Sequence, residues 1–457
     1  MKKIKVILVI VLLFAILTGC ANGSAPEPTK ESSPTATEEA PVSTEATSAE
    51  ESPEAVAEDG SLADHPVYDL VSSTIYFDGV RPYQYESRAD IPKALPLKIK
   101  GDVPFIAMPI SRMSSEIFVE YVDFAQKRCD EYGYRFEFTD AAGSTEKQRA
   151  DFDAFVTKGA DVILINPLDP ISNELDVERA VEQGVAVIGF GIAFFPSAGA
   201  VTCVGQPSYL NGWALAEKSA ESLKGEHIDL AMIIGRYGQS MMESKANGYL
   251  AGLIYSRFEQ LGKPFATKED AMLYSYNLYL KFRDNGKLDI PEADINIVAS
   301  GEGLLTANNA MKIAEDILTA HPDINLLYVD THMEGEGVLL ALDTLNIPYG
   351  IDDGELRVVF CDGAPDWAMD LLTEGKVLAI VHNNPAIISN NMVDLVHDLI
   401  EGNISTEKAN NLTISSYFAP NILTKDNVDE FRVEGEKYAM PLPIPFISVD
   451  EWNEEHQ

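Results

Sequence analysis

Three kinds of side chain in this chain of 457 residues are placed to do chemistry: thiols, a few carboxylates, and a histidine at the end of an apolar run. Cys20 closes Leu17-Thr18-Gly19-Cys20, directly after an apolar run from Val6 to Leu17 that follows Lys2, Lys3 and Lys5. A positive start and a short apolar stretch mark an export signal, and the run falls short of the roughly 20 residues that cross a bilayer. Cys129, Cys203 and Cys361 show no CxxC or His-rich spacing, so neither a metal site nor a disulfide framework is expected, and no cofactor is implied. They read instead as small buried hydrophobes, Cys129 on an apolar helix face and the others in strand-like runs. Glu243 and Asp362 are the carboxylate types that glycoside cleavage needs, but nothing fixes their separation and no nucleophile or metal motif accompanies them. The chain is therefore not expected to be an enzyme. Asp362 opens Asp-Gly-Ala-Pro-Asp, where it can accept hydrogen bonds from a ligand or cap the helix starting near Pro365. His332 follows Thr331 at a strand end, where it serves either packing or ligand contact.

The elements that must position these residues are legible from composition and periodicity. The net charge of −38 excludes nucleic acid as a natural partner. Residues 20–65, rich in Pro, Ser, Thr, Ala and Glu, have too few large apolar side chains to offset the entropy of ordering and read as a flexible acidic linker. Residues 66–102 carry aromatics and prolines without periodicity and read as an irregular extension. From Val103 onward, short runs that are apolar throughout alternate with amphipathic helices, the signature of parallel strands covered on both faces. Phe105–Ile110 precedes a helix over Glu116–Tyr132, Tyr134–Phe138 one over Thr145–Lys158, and Val162–Asn166 one over Ser172–Gln183, and Val185–Phe190 closes the series. A second series begins after Gly205-Gln206-Pro207-Ser208, with strands at Leu230–Ile234, Ile295–Ala299, Leu326–Val329, Val358–Phe360 and Val377–Val381. Long helices are expected over Leu210–Leu223 and Met241–Leu261, with an inserted helix at Lys268–Lys287. Nearly 400 residues exceed what one core supports, so two doubly wound lobes are predicted.

Two resemblances extend this reading. The segment ending at Cys20 is similar to the lipobox of bacterial lipoproteins, which implies cleavage before Cys20, acylation of its thiol and tethering outside the cell membrane by that anchor alone. The region from Val103 to Phe418 resembles the type 1 periplasmic binding proteins of the ribose-binding class that serve sugar ABC importers. The resemblance rests on Phe118-Val119 with Ala125-Gln126-Lys127, on Lys158-Gly159-Ala160-Asp161-Val162-Ile163-Leu164-Ile165-Asn166-Pro167, on Ile317-Leu318-Thr319-Ala320-His321-Pro322-Asp323, and on Val358-Val359-Phe360-Cys361-Asp362-Gly363-Ala364-Pro365-Asp366. It implies an α/β fold of two lobes joined by three crossings, near Gly205–Ser208, Asn383–Pro385 and Asn411–Ser416. The expected organisation is a signal peptide at 1–19, lobe one at 103–205 plus 384–411, lobe two at 206–383 plus 412–432, and a C-terminal extension at 433–457.

By the same resemblance, Ser115 and Phe118 at the start of the first helix would meet sugar hydroxyls and the sugar's apolar face. The family's Asp-Arg pair falls at Gly191-Ile192, its helix arginine at Glu243, its second-lobe aromatic at Leu305 and its Asn-Asp at Thr331-His332. Asp362 and the amide Asn383 match the family's polar positions. Glu243 and Asp362, with Glu116 and Glu334 near, leave a cationic ligand open, and Trp213 and Trp367 read as packing groups. The implied function is a monomeric extracytoplasmic protein that captures a small polar solute, a carbohydrate by resemblance, and delivers it to an ABC permease. A receptor subunit that reports the ligand to a membrane kinase or chemoreceptor would use the same residues.

Overall fold

The computed structural model describes residues 65–80, 89–192, 194 and 198–455; Cys20, the signal segment and the acidic linker up to residue 64 lie outside them. The described chain begins with α1 (Val67–Ser73) and a 3-10 turn at Ile75–Phe77, where the sequence reads as irregular. Such a helix is too short to be stable alone or to show a period. It is held because Val67, Val71 and Phe77 are buried with Tyr209, Trp213, Ala271 and Tyr276 of the second lobe. Residues 89–102 then run along the first lobe, where Asp161 accepts from the main-chain N–H groups of Lys100 and Phe105.

The first lobe follows as β1 (Phe105–Ile110), α2 (Glu116–Tyr132), β2 (Arg135–Asp140), α3 (Thr145–Lys158), β3 (Val162–Ile165), α4 (Pro170–Glu182), β4 (Ala186–Phe190) and β5 (Cys203–Gly205). The second is built from α5 (Ser208–Ser222), β6 (Ile228–Ile234), α6 (Ser240–Gln260), α7 (Lys268–Asn285), β7 (Leu288–Ile290), β8 (Ile295–Glu302), α8 (Ala307–Ala320), β9 (Leu326–Val329), α9 (His332–Leu345), β10 (Arg357–Phe360), α10 (Asp366–Glu374) and β11 (Ala379–Val381). The chain returns through α11 (Pro385–Glu401), α12 (Thr406–Asn410), β12 (Ser415–Tyr417), β13 (Ile422–Leu423) and α13 (Val449–Glu455). The first sheet, in the order β12-β5-β4-β3-β1-β2, is parallel throughout. The second runs β13-β11-β10-β9-β6-β8-β7 and is antiparallel only at its two ends. Every residue of β1, β3, β4, β9 and β10 is buried, as strands covered by helices on both faces must be. This is the predicted two-lobe α/β architecture.

Helix starts follow from short polar caps: Ser144, Asp169 and Asn384 accept from main-chain N–H groups of α3, α4 and α11, and Pro170 and Pro385 occupy first-turn positions that need no donor. The inserted helix α7 starts in a reciprocal Thr267–Asp270 capping box. Trp213 is buried in α5 beside the rings of Tyr209 and Tyr255.

The third crossing departs from expectation. It lies at residues 418–421, between β12 in the first sheet and β13 in the second, so residues 412–417 belong with lobe one. β12 is Ser-Ser-Tyr and carries no apolar run; it is held by pairing with β5 and by the contact of Thr202 Oγ1 with Ser416 Oγ at 2.9 Å. The C-terminal extension then returns from the second lobe to the first. Ala439 is packed in the second lobe's core, Ile444 in the first's, and the N–H of Val449 donates to the carbonyl of Asn411.

Candidate functional site

The carboxyl ends of both sheets face the region where the lobes meet, the usual position of ligand crevices in open parallel sheets. Lys245 of α6 is placed there by the close packing of α5 on α6. A Cβ at Gly248 would come within 2.0 Å of the carbonyl oxygen of Tyr209, and one at Gly212 within 2.1 Å of that of Lys245. The two backbones therefore touch, and Lys245, three residues before Gly248, lies on the buried face. Its ammonium is fully buried between Asp362, at 3.1 Å, and Asp330, at 3.4 Å. Burial alone would lower its pKa, but the two carboxylates raise it above the ordinary lysine value.

Asp330 follows β9 and accepts from Gly235 N–H at 2.9 Å and Tyr328 O–H at 2.8 Å. Asp362 follows β10 and retains a side-chain exposure of 17%. Its Oδ1 accepts from Asn383 Nδ2 at 2.6 Å, and Gln206 Nε2 lies 3.4 Å from its Oδ2. Burial would raise the Asp362 pKa, yet Lys245 and Asn383 hold it below the usual carboxylate range, so it is ionised at neutral pH. Gln206 sits on the first crossing and Asn383 on the second, joined by a 3.1 Å hydrogen bond from Asn383 Nδ2 to Gln206 Oε1. Asn383 Oδ1 is buried and has no hydrogen-bond partner among the described residues. A carboxylate and an open amide oxygen are acceptors, suited to hydroxyl donors.

Tyr121 of α2 approaches this cluster from the first lobe. Its ring lies 5.3 Å from that of Phe190, and its phenol is pushed to higher pKa by burial, then by the charges of Asp362 and Glu120. His332 links the cluster to a cavity of about 340 Å³: its main-chain N–H donates to the carbonyl of Asp362 and its ring lines the cavity. The cavity wall includes Glu116, Ile117 and Glu120 of α2, Leu305–Ala307, Met333, Glu336, Pro365 and Trp367 of the second lobe, and Lys437 and Tyr438 of the C-terminal extension. Its volume sits at the low end of the roughly 300–1,000 Å³ of small-molecule pockets. Burial lowers the His332 pKa against the opposing pull of Asp362, leaving a neutral ring 6.3 Å from Trp367.

Of the residues singled out from sequence, Asp362 and Asn383 form the cluster, and His332 and Leu305 line the cavity. Thr331 does neither: its hydroxyl caps α9 by accepting from Glu334 N–H and donating to Glu334 Oε2. Gly191 forms a turn at φ +73°, which strains any residue with a side chain, and a Cβ there would press on Asn166 Nδ2 at 2.9 Å. Glu243 is buried away from the cluster. Its carboxylate accepts from Gly238 N–H, Arg283 Nε and Tyr279 O–H, which fastens α6 to α7. Those three donors engage the Glu243 carboxylate, and no described hydrogen bond or ion pair joins it to the cluster of Asp362. Ser115 and Phe118 are half-buried beside the cavity without lining it; the Phe118 ring packs 6.0 Å from that of Tyr121. Glu116 does line it, while Glu334 is buried, accepts from Leu305 N–H, and has its pKa pushed up to about 8 by burial and then by Asp330. Trp367 is not only a packing group, since it forms part of the wall. Sequence reading missed Lys245, Asp330, Gln206 and Tyr121.

A periplasmic binding protein domain model matches residues 106–404. Among curated proteins, the chain is similar to the ribose import binding protein of Salmonella typhimurium, 22% identical over 297 residues that cover 65% of this chain and 85% of the relative. The protein of the same description from Bacillus subtilis is 20% identical over 65% of this chain and 82% of its own length. Among solved structures, the arabinose ABC transporter binding component of Shewanella sp. ANA-3, bound to L-arabinofuranose, superposes with a TM-score of 0.53 at 15% identity, covering 71% of this chain and 93% of that one. An Actinobacillus succinogenes solute-binding protein with bound D-allose gives 0.54 at 18% identity over 72% and 100%. One from Bacillus halodurans with bound myo-inositol gives 0.52 at 18% over 72% and 96%. At these identities the solved structures speak to the fold.

Proposed function

From the premise that the chain belongs to the periplasmic binding protein family, matched over residues 106–404, we propose that it captures a neutral carbohydrate or polyol between its lobes and delivers it to an ABC permease. The observation that carries this reading is the acceptor set of Asp362 and Asn383 Oδ1, which meets a cavity of monosaccharide scale at His332. Relatives and fold neighbours described as binding ribose, arabinose, allose and inositol support it. Lys245 already neutralises part of the charge of Asp362, which favours an uncharged hydroxyl-bearing ligand over a polyamine. The binding step is a population shift: a ligand that touches both lobes stabilises the closed arrangement by its differential affinity. Asp362, Asn383, Gln206, Tyr121, His332 and Trp367 are the proposed contacts.

The lipobox-like Leu17-Thr18-Gly19-Cys20 supports acylation at Cys20 and an anchored, extracytoplasmic monomer, with the acidic linker as spacer. The lobes in this proposal are residues 103–205 plus 384–418, and 206–383 plus 421–432. The test is a thermal-shift and titration screen with pentoses, hexoses, polyols, sugar acids, nucleosides and polyamines. A native-state ligand at 100-fold excess over its Kd adds about 2.7 kcal/mol of apparent stability. A neutral sugar or polyol hit that weakens in Asp362→Asn supports the reading, and hits confined to charged or aromatic solutes overturn it.

A further inference from the structure

We infer that residues 433–448 form a strap that supplies the outer wall of this site and ties the two lobes together across its mouth, with Lys437 and Tyr438 as the tie and as ligand-selecting residues. This rests on the interlobe site proposed above. The strap lies beyond residue 404, where the family match ends. Its main chain belongs to the second lobe: Lys437 O accepts from Asp366 N–H at 2.8 Å, Ala439 N–H donates to Ala364 O at 3.3 Å, and Met440 N–H to Phe431 O at 2.7 Å.

Its side chains reach the first lobe. Lys437 Nζ lies 2.6 Å from Glu116 and 2.5 Å from Glu120 of α2, and Tyr438 O–H donates to Glu120 Oε2 at 2.7 Å. Rotation of one lobe from the other must break these three contacts while leaving the main-chain bonds intact. Beyond the cavity the strap is fixed to the first lobe as well, since Asn391 on α11 accepts from Ile444 N–H and donates to Leu442 O. Opening therefore has to be taken up between the two attachments.

Lys437 and Tyr438 also line the cavity, so any occupant meets them. The other charged groups of the wall are Glu116, Glu120 and Glu336, and Lys437 is the one cation among the lining residues beside a neutral His332. With Glu116 and Glu120 engaging that cation and Glu336 left over, the wall repels sugar acids and phosphates and accepts neutral sugars.

Spin labels on exposed positions of the two lobes, read as interlobe distance distributions without sugar, test the tie independently of any ligand. Lys437→Gln, Tyr438→Phe and their double variant are expected to shift the distribution to longer distances. Raising salt to about 1 M, where the screening length is about 3 Å, should shift the wild type the same way and shift Lys437→Gln less, since the exposed Lys127–Glu436 pair between α2 and the strap is all that salt can still weaken there. Lys437 is half-exposed, so its variant keeps the test available if Tyr438→Phe fails to fold. Superimposable distributions in variants and wild type overturn the tie. The selecting role is read with D-ribose, L-arabinose, D-allose, myo-inositol and D-ribose 5-phosphate as probes. A neutral probe that binds the wild type should leave the double variant about fivefold faster, as the loss of a partly exposed charge pair implies, and the phosphate should be rejected. Unchanged dissociation overturns the selecting role. A panel silent on both proteins, with distances that do shift, refutes the carbohydrate reading and supports the tie.

Discussion

Among the described residues a lysine lies between two carboxylates in two places, once deep between the lobes and once at the mouth. Lys245 sits between Asp330 and Asp362 with no exposure of its side chain, while Lys437 sits between Glu116 and Glu120 with 52% exposed. The contacts are alike and the surroundings are not. In the interior the three charges are desolvated, so each depends on the others; at the mouth water and salt screen them. The inner triad is thus a fixed part of the site, and the outer one is a contact that can be made and broken as the lobes move.

Removing the inner cation should have the largest effect. Lys245→Met leaves two carboxylates buried without a counter-charge, and breaking a buried pair from one side costs about 3–5 kcal/mol. Urea unfolding of the variant should show this loss, and Lys245→Met with Asp362→Asn should recover part of it. A cost near that of an exposed pair would erase the distinction between the triads.

Carboxyls that are buried with no cation beside them sharpen the same point. Asp78, adjoining the first crossing, is partly buried with Ser208 and Tyr417 as hydrogen-bonding partners, and desolvation pushes its pKa up to about 6 against their opposing effect. Its native pKa lies above the unfolded value of 3.8, so its contribution is fully present below about pH 4 and is lost as pH rises through about 6. The shift corresponds to about 3 kcal/mol. Asp78→Asn should therefore gain on the wild type by up to that amount between pH 4 and pH 7.5 in paired unfolding experiments. An Asn effect of equal size at both pH values would show that folding does not shift the Asp78 pKa.

A smaller effect is expected at the ligand. Asp362→Asn keeps the shape of the cluster but replaces an ionised acceptor, and hydrogen bonds to charged groups contribute about 1.5–3 kcal/mol. Affinity for a neutral sugar that binds the wild type should fall by about 10- to 100-fold in isothermal titration, that energy converted. Undiminished affinity would move the site off Asp362 and onto the outer cavity.

How much of this was legible in the sequence differs between strands and site. Strands β1, β3, β4 and β9 are apolar at every position, so burial on both faces wrote itself into the pattern, and Asp362 and Asn383 stood at recognisable strand ends. β12 and the strap carry no such pattern: Ser415-Ser416 is held by pairing, and residues 433–448 are interrupted by Pro441, Pro443 and Pro445. Lys245 was obscured by Glu243, two residues earlier, because an alignment of spacings does not give the phase of a helix. The phase was nonetheless present. Gly248 and Gly252 mark the face of α6 that touches α5, and Lys245 shares it at three and seven residues' distance, whereas Glu243 does not.

The outer triad should contribute least to stability. Lys437 is half-exposed and Glu116 more so, and exposed ion pairs are worth about 0–1 kcal/mol and fade with salt. Lys437→Gln should therefore change the unfolding free energy by less than about 1 kcal/mol, with the difference gone at high salt. Tyr438 differs: it is 6% exposed and its hydroxyl serves Glu120, whose side chain is 13% exposed, so Tyr438→Phe should cost about 0.5–1.5 kcal/mol with little salt dependence. If Lys437→Gln proved as costly as Lys245→Met in the same urea series, the mouth would be as desolvated as the interior and the contacts of Lys437 with α2 would be a permanent tie between the lobes. A small, salt-sensitive cost leaves it free to open.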